Sequence, residues 1–457
     1  HAIFNVVIFD EASQCRLEEA LPVLMRGERV VIAGDQKQLP PTRFFESALT
    51  DSGDSDAETA EELFFQQQSD AEDLLTAALN LDVREAYLDV HYRSRNEALI
   101  GFSNEHYYGS RLQPIPGHPR NKALNTPIKL HRIDGVYHER ANEKEAEAAV
   151  NLVAELLAEK ETPSIGIACF NLTQKEAIHD ALAARIEKDA EFARRYEEAK
   201  NRKGRDSFEG IFVKNLENVQ GDERDVMIIC TTFGPDPQGK FRRNFGALSQ
   251  REGGRRLNVL VTRARDAVHV LTSIPAAEYA SIEPVPPSQI PNGRLQLYAY
   301  LRYAEHLADF YESYQDQLEK MRRDAKPEIK EWENATPSPV ASALGRTLLD
   351  RHQTGSHIHW GNEGFCVDVA CIHPIMPADV TVGVLTDFSR FHKTPDPIEW
   401  DIFRTRVLRS QGWEIERLWS PVLFRRSEEL LGRIKAAHDR LSTIPTAREL
   451  MPEPPAA

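Results

Sequence analysis

The chain has 457 residues, 41% of them hydrophobic and 28% charged, with a formal net charge of −15. That length is enough for about three domains with cores of their own. No apolar run approaches the ~20 residues of a membrane span, and no stretch reads as a signal peptide. The five cysteines (Cys15, Cys169, Cys230, Cys366 and Cys371) form no CxxC pair and are too sparse for a disulfide scaffold, which predicts a reducing, cytoplasmic setting.

The first element is the β-branched run "VVIFDEASQ" (6–14), which predicts a buried strand through Val6, Val7 and Ile8 ending in two adjacent acids, Asp10 and Glu11. Neighbouring carboxylates repel. A divalent metal held by one acid, with the other orienting a water, accounts for that cost, as in nucleotide hydrolases. A strand-end turn with solvated acids is the plainer alternative. A second strand, "RVVIAGD", ends in "GDQKQLPPT" (34–42), where Gly34 allows a tight turn and Gln38 offers a neutral donor on the loop. From Asp51 to Asp73 there are nine acids and no Lys or Arg; the stretch reads as a solvated insert.

"LDVHYRSRNEAL" (88–99) follows, in which Arg93 fits a guanidinium reaching a phosphate. Short continuous apolar strands ("IKLHRID", "SIGIACF", "DVMIICTT", "AVHVLTS") then alternate with helical stretches, the pattern of a parallel sheet covered on both faces. The spacing of Ala146, Val150, Val153 and Leu157 predicts one helix over 143–160, and Asn171 or Thr173 opens another to Lys188. "ENVQGDERDVMIIC" (217–230) puts Gln220, Gly221 and Glu223 in a turn before a buried strand. There glycine permits close approach of a ligand and Glu223 could accept from a ribose hydroxyl. Lys240 to Arg265 holds eight basic residues and one acid, favouring phosphate contact. Within it, "RRLNVLVTRARDAVHVL" (255–271) reads as an apolar helix whose end carries Arg263 and Arg265, an arginine-finger arrangement.

A Pro-rich linker (276–292) precedes a long helix, 294–324, whose tyrosines are expected to pack rather than stack on bases. Strand-like and helical pieces resume from 337 to 426, and the tail after Ser442 is rich in Pro and Glu.

The series DEASQ, GDQKQLPPT, LDVHYRS, VQGDERD and LNVLVTRAR resembles motifs II to VI of superfamily 1 helicases. It is nearest the subgroup related to the nonsense-mediated-decay helicase, which bacteria also carry in large multidomain proteins. Five such elements in order are hard to reach by chance, and the resemblance covers residues 1 to about 275. It implies two RecA-like domains with ATP between them, a single-stranded DNA or RNA track and 5′-to-3′ movement. By position, Asp10 would hold Mg²⁺, Glu11 would polarise the attacking water, and Gln38 would sense the γ-phosphate. Arg93 and Arg263 would neutralise transition-state charge, Gln220 and Gly221 would border the nucleotide, and Glu223 would hold the ribose. Pro41, Thr42, Arg255 and Arg256 would face the strand. One departure stands out. No GxxxxGK[ST] P-loop occurs in the chain; the family order places it before residue 1, and the chain opens on His1 inside a strand. The sequence therefore reads as a piece of a longer protein whose upstream part supplies the P-loop.

"GFCVDVACIHP" (364–374), "VGVLTDFSRFH" (382–392) and "WDIFRTRVLRSQGWEIERLWS" (400–420) resemble the domain related to very-short-patch-repair endonucleases, often fused behind such helicases. Asp368, Asp387 and His392 match its site. Leu385 stands where that family has a glutamate, and Ala341 to Leu344 offer no acid at the upstream helix position, so a degenerate nuclease is expected.

The expected fold class is α/β. Residues 1–85 would be the C-terminal part of a first RecA-like domain, with the insert at 51–73, and 86–275 a complete second one. Residues 276–336 would be linker and long helix, 337–426 a small restriction-endonuclease-like domain, and 427–457 a helix and disordered tail. The rival readings are a non-hydrolysing nucleic-acid-binding or scaffold module, and a nuclease merely positioned by the helicase part. No membrane is involved, and a protein partner could dock on the last domain.

Overall fold

The computed structural model describes residues 3–40, 73–81, 83–119, 126–204, 208–249, 253–280, 292–322, 327–331, 338–361, 365–376, 379–387, 396 and 398–442. The first apolar runs form β1 (Phe4–Phe9) and β2 (Gly27–Ile32), paired in parallel with Val7 opposite Val30. Phe9 and Ile32 pack on a small core of Ala12, Ala20 and Leu74. The expected burial of Val6, Val7 and Ile8 is not met: Val7 is only half-buried, and Val6 and Ile8 are exposed, Ile8 at 70%. A continuous apolar strand needs a layer on each face, and among the described residues this pair has a layer on one side only. Most of the acidic insert lies outside the described residues, but its last acid is no solvated charge. Asp73 is buried and caps the helix Leu74–Leu79, accepting from the Thr76 amide at 2.7 Å.

A two-residue parallel pair, β3 (Val90–His91) with β4 (Gln113–Pro114), leads into the main sheet. The sheet comprises β5 (Ile128–Arg132), β6 (Ile165–Cys169), β7 (Phe212–Asn215), β8 (Arg224–Cys230) and β9 (Ala264–Thr272), all parallel in the order β5-β9-β8-β6-β7. The interior strand β6 is buried at every position, and β8 and β9 are buried from Val226 and Ala267 onward, because both faces are covered there. Met227 and Ile229 of β8 point into one core, with Phe102, Leu257, Leu260, Leu297 and Leu301, while Ile228 and Cys230 point into the other, with Val153, Leu157 and Ile178. Asn142 caps the helix Glu143–Ala158 and Asn171 the helix Leu172–Lys188; their side chains accept from the Glu145 and Gln174 amides. The helix over the 255–271 segment is shorter than expected. It spans Gly253–Val261, and Arg265 lies on β9. The long helix, Gly293–Arg322, buries Leu297, Tyr298, Tyr300, Leu301, Ala304 and Tyr311. These tyrosines pack, as expected.

The last sheet joins β10 (Ile329–Glu331), β11 (Ser356–Trp360), β12 (Val367–Ile372), β13 (Val380–Thr386) and β14 (Glu414–Leu418) in sequence order. The β11-β12-β13 pairings are antiparallel and the two outer ones parallel. Helices Pro339–His352 and Ser427–Ser442 cover one face through Leu344, Leu348, Leu430 and Ile434. The other face packs Val367, Leu385, Val407, Leu408 and Trp413.

One carboxylate inside the main sheet's end is fully buried. Glu145 accepts from the Thr232 amide at 2.7 Å and from Asn142 Nδ2 at 3.3 Å, and Thr232 sits at φ 71. Burial raises Glu145 from 4.5 to about 7, against the hydrogen bonds from Thr232, Ser273 and Thr231. The folded state thus keeps a proton that the unfolded chain releases, so this group's contribution is full below 4.5 and is lost as pH rises through about 7. We expect the melting temperature of Glu145→Gln to gain on that of the wild type as pH rises across that window. A difference between the two that does not change with pH would disprove the assignment.

Candidate active site

Asp10 and Glu11 fall where β1 ends, at the carboxyl edge of the parallel pair. Both are exposed. Glu11 adopts the left-handed conformation, φ 52 and ψ 40, uncommon for a residue with a Cβ. That turn lets its own amide donate to Asp10 Oδ1 at 2.9 Å, and Gln14 Nε2 donates to Glu11 Oε2 at 3.2 Å. Like charges are thereby held adjacent with part of their repulsion offset by amide donors. A magnesium ion that brings its own waters and phosphates asks the protein for one or two carboxylates, and Asp10 fits that demand. Among the described residues no group of three or more His, Cys, Asp and Glu could hold a metal by itself.

At the end of β2, Asp35 organises the next loop. It accepts from the Lys37 amide (2.8 Å), from Gln38 Nε2 (3.0 Å) and from the Tyr108 hydroxyl (2.6 Å). Asn258 Nδ2 lies 3.0 Å from both the Lys37 carbonyl and the Tyr108 oxygen. Burial, with the Asp35 charge next, pushes the Tyr108 phenol up, so it remains a donor. Tyr108 and Asn258 are site residues that sequence reasoning passed over. Asn258 lay in plain view inside "RRLNV", whereas nothing near Tyr108 signals its role.

Two residues from the main sheet's side meet the same loop. Gln38 Oε1 is 3.4 Å from Arg263 Nη2 and 3.5 Å from Gln220 Nε2. Gln220 precedes Gly221, whose φ of +81 turns the chain into β8. Arg263 is 3% exposed and donates Nε–H to the Val259 carbonyl at 2.7 Å. Burial, then the neighbouring Arg93, lowers it to about 10, while Glu11 pulls the other way; it stays a cation at neutral pH. Arg93 is engaged by Glu223, Nε to Oε2 at 2.7 Å, and by the Thr262 carbonyl at 3.4 Å. The structure therefore brings Gln38, Gln220 and Arg263 together, with Arg93 and Glu223 paired beside them.

The basic cluster is not one phosphate-facing patch. Arg265 pairs with Glu209 (2.8 Å) and Asp225 (2.9 Å), and Arg243 with Glu278 (2.6 Å). Arg255 and Arg256 are half-buried on the helix Gly253–Val261. Pro41, Thr42 and His392 lie outside the described residues.

In the last sheet, Asp368 on β12 is 1% exposed. It accepts from the Thr386 amide (2.6 Å) and hydroxyl (3.2 Å) and lies 3.4 Å from Arg404 Nη2, which also donates to the Cys366 carbonyl. Asp387 turns to the start of the helix Ser420–Arg425, accepting from the Ser420 amide at 3.0 Å and its hydroxyl at 2.6 Å. Leu385 is buried. Arg404 was not foreseen: a helix arginine in "FRTRVLRS" carries no signal that it reaches a strand acid.

Comparison with known proteins agrees with both halves. Residues 1–46 and 65–274 match AAA-domain family models, and residues 345–437 match the REase_MTES_1575 family model. An uncharacterized ATP-dependent helicase of Mycoplasma genitalium is 32% identical over 422 residues, covering 91% of this chain and 35% of that protein. Its Mycoplasma pneumoniae homolog is 29% identical over 426 residues, with the same coverages. Helicase SEN1 of Saccharomyces cerevisiae is 25% identical over 286 residues, 59% of this chain and 11% of that one. The chain spans about a third of the length of the two Mycoplasma relatives. The chain is thus similar to ATP-dependent helicases, with AAA-domain matches over residues 1–46 and 65–274 and an endonuclease-like match over residues 345–437.

Proposed function

We propose that the chain is the C-terminal part of an ATP-dependent helicase that moves 5′ to 3′ along single-stranded nucleic acid. The convergence of Arg263 and Gln220 on Gln38, beside Glu11, carries the reading. Gln38 belongs to the loop after β2, while Gln220 and Arg263 flank β8 and the main sheet, so a phosphate between them would be sensed from both sides. In this reading Asp10 holds Mg²⁺, which supplies charge neutralisation at the phosphates. Glu11 takes the proton of the attacking water, and Arg93 and Arg263 balance charge on the transferring group. Glu223, now paired with Arg93, would exchange that partner for the ribose. Pro41, Thr42, Arg255 and Arg256 would face the strand. The P-loop would come from a further part of the same protein, as the 35% coverage of longer helicase relatives supports. Five free cysteines suit a reducing, cytoplasmic setting in a bacterium.

The endonuclease-like domain would bind DNA or RNA, or dock a partner, without cleaving. Asp368 and Asp387 already satisfy internal donors, an arginine neutralises Asp368, and Leu385 offers no ligand.

In the longer protein, Glu11→Gln should leave ATP binding nearly intact and lower strand-stimulated hydrolysis by about 10²–10⁴-fold, the usual worth of a general base; unchanged turnover would remove Glu11 from that role. The 457-residue chain alone should show no strand-stimulated hydrolysis. Arg263→Ala should cost roughly 10³-fold in turnover. Arg255→Ala and Arg256→Ala should instead weaken strand binding and flatten its salt dependence; three variants that merely unfold would make the cluster structural. Incubated with single- and double-stranded DNA and RNA in Mg²⁺ or Mn²⁺, the chain should cleave none of them. Efficient cleavage lost in Asp368→Ala would refute the degenerate site.

A further inference from the structure

The endonuclease-like domain does more than follow the helicase part; it grips the segment that carries Arg93. Gln411, 1% exposed at the end of the helix Arg404–Ser410, donates through Nε2 to the Tyr92 carbonyl at 2.8 Å. Its own carbonyl accepts from the His118 amide at 3.1 Å. Trp413 Nε1 donates to the Pro116 carbonyl at 2.8 Å, and its ring meets the buried His118 ring edge-on, centroids 5.0 Å apart. Ile115 is 4% exposed because it sits in the last domain's own core, with Val367, Leu385 and Trp413. Pro116 packs so closely on Gly361 that a Cβ there would lie 2.5 Å from its Cγ.

These contacts act on one lever. Residues 115–118 continue β4, β4 pairs with β3, and β3 runs into Tyr92 and Arg93. Past Arg93, the Arg95 amide donates to the Arg265 carbonyl and Ser94 Oγ to the Ala264 carbonyl, tying the far end to β9. The 92–93 peptide is therefore held between the last domain and the main sheet. The gripping helix is itself fixed: its first residue, Arg404, is buried against Asp368 and the Cys366 carbonyl. A guanidinium is useful to a transferring phosphate only if held to within about half an ångström, by supports on rigid elements.

We infer that the endonuclease-like domain is a brace that positions Arg93, with Gln411 as the positioning residue and the 115–118 loop as its seat. The inference rests on the helicase reading for its consequence in hydrolysis, but the brace has a test of its own. Gln411→Met keeps the side chain's length and removes the donor to Tyr92. Trp413→Phe keeps the ring's body and removes the donor to Pro116, should the first variant fail to fold. Amide hydrogen exchange of the 457-residue chain should quicken about fivefold or more over residues 90–95, the effect of one lost buried hydrogen bond. Exchange in β12 and β13 should stay as in the wild type. In the longer protein both variants should lower the strand-stimulated kcat with little change in the KM for ATP, kcat being expressed per folded protein so that partial unfolding does not imitate the effect. Unchanged exchange over 90–95 in a folded variant overturns the brace. Faster exchange with unchanged kcat overturns its link to Arg93. A wild-type protein without strand-stimulated hydrolysis would sink the helicase reading, and the exchange result would then decide the brace by itself.

Discussion

A guanidinium that is 3% exposed governs the centre of this molecule. A buried cation is tolerated only where its donors are met and the surrounding charge suits it. Arg263 obtains this from the Val259 carbonyl one turn behind it and from Gln38 across the cleft. For both acceptors to be in place, the helix Gly253–Val261 must stop where it does and the loop after β2 must reach over to the main sheet. The loop reaches because Asp35 gathers Lys37, Gln38 and Tyr108, and Asn258 ties the gathered loop to the helix that ends beside Arg263. One buried charge thus relies on a whole polar arrangement, which also sets Glu11 and Gln220 around the same space.

The polar character of this contact matters. Lys37, Gln38, Tyr108, Gln220, Asn258 and Arg263 meet through hydrogen bonds of 3.0 to 3.5 Å, with Leu39 of the same loop and Tyr108 packed at the margin of the main sheet's core. Interfaces of that kind are the ones across which domains move. Most of the apolar packing lies on the two faces of the main sheet, where Met227, Ile228, Ile229 and Cys230 alternate between cores. Rigid sheet and hydrogen-bonded cleft are what a nucleotide-driven closure would call for.

The last sheet resolves the same problem, acids near strand ends, in the opposite way. Asp368 has its charge met by Arg404 and its lone pairs by Thr386, and Asp387 is turned to cap a helix. In the first site the acids stand exposed, able to receive a metal and a water. Here an internal cation and backbone donors take up that capacity. The same helix that neutralises Asp368 ends in Gln411 on Tyr92, so the domain's inward-looking chemistry is continuous with its hold on the helicase part.

The sequence alone carried the local features. Strand-end acids in "FDE", the capping Asn171, the two-faced apolar strands β6, β8 and β9, and Gly221 before β8 are written in composition and short spacing, because period, propensity and capping act within a few residues. The resemblance carried by the motif order also implied one shared site for Arg93, Gln220, Glu223 and Arg263. What it could not carry were facts that depend on which surfaces meet. Val6 and Ile8 read as buried, yet exposure is a property of the neighbouring layer, not of the strand. Arg265 read as a phosphate ligand, but Glu209 and Asp225, forty residues or more away in the chain, reach it first. Tyr108 on Asp35, Arg404 on Asp368 and Gln411 on Tyr92 join positions 73, 36 and 319 residues apart. Only tertiary packing decides such pairs, because a hydrogen bond forms over three ångströms of space and is indifferent to the length of chain between its ends.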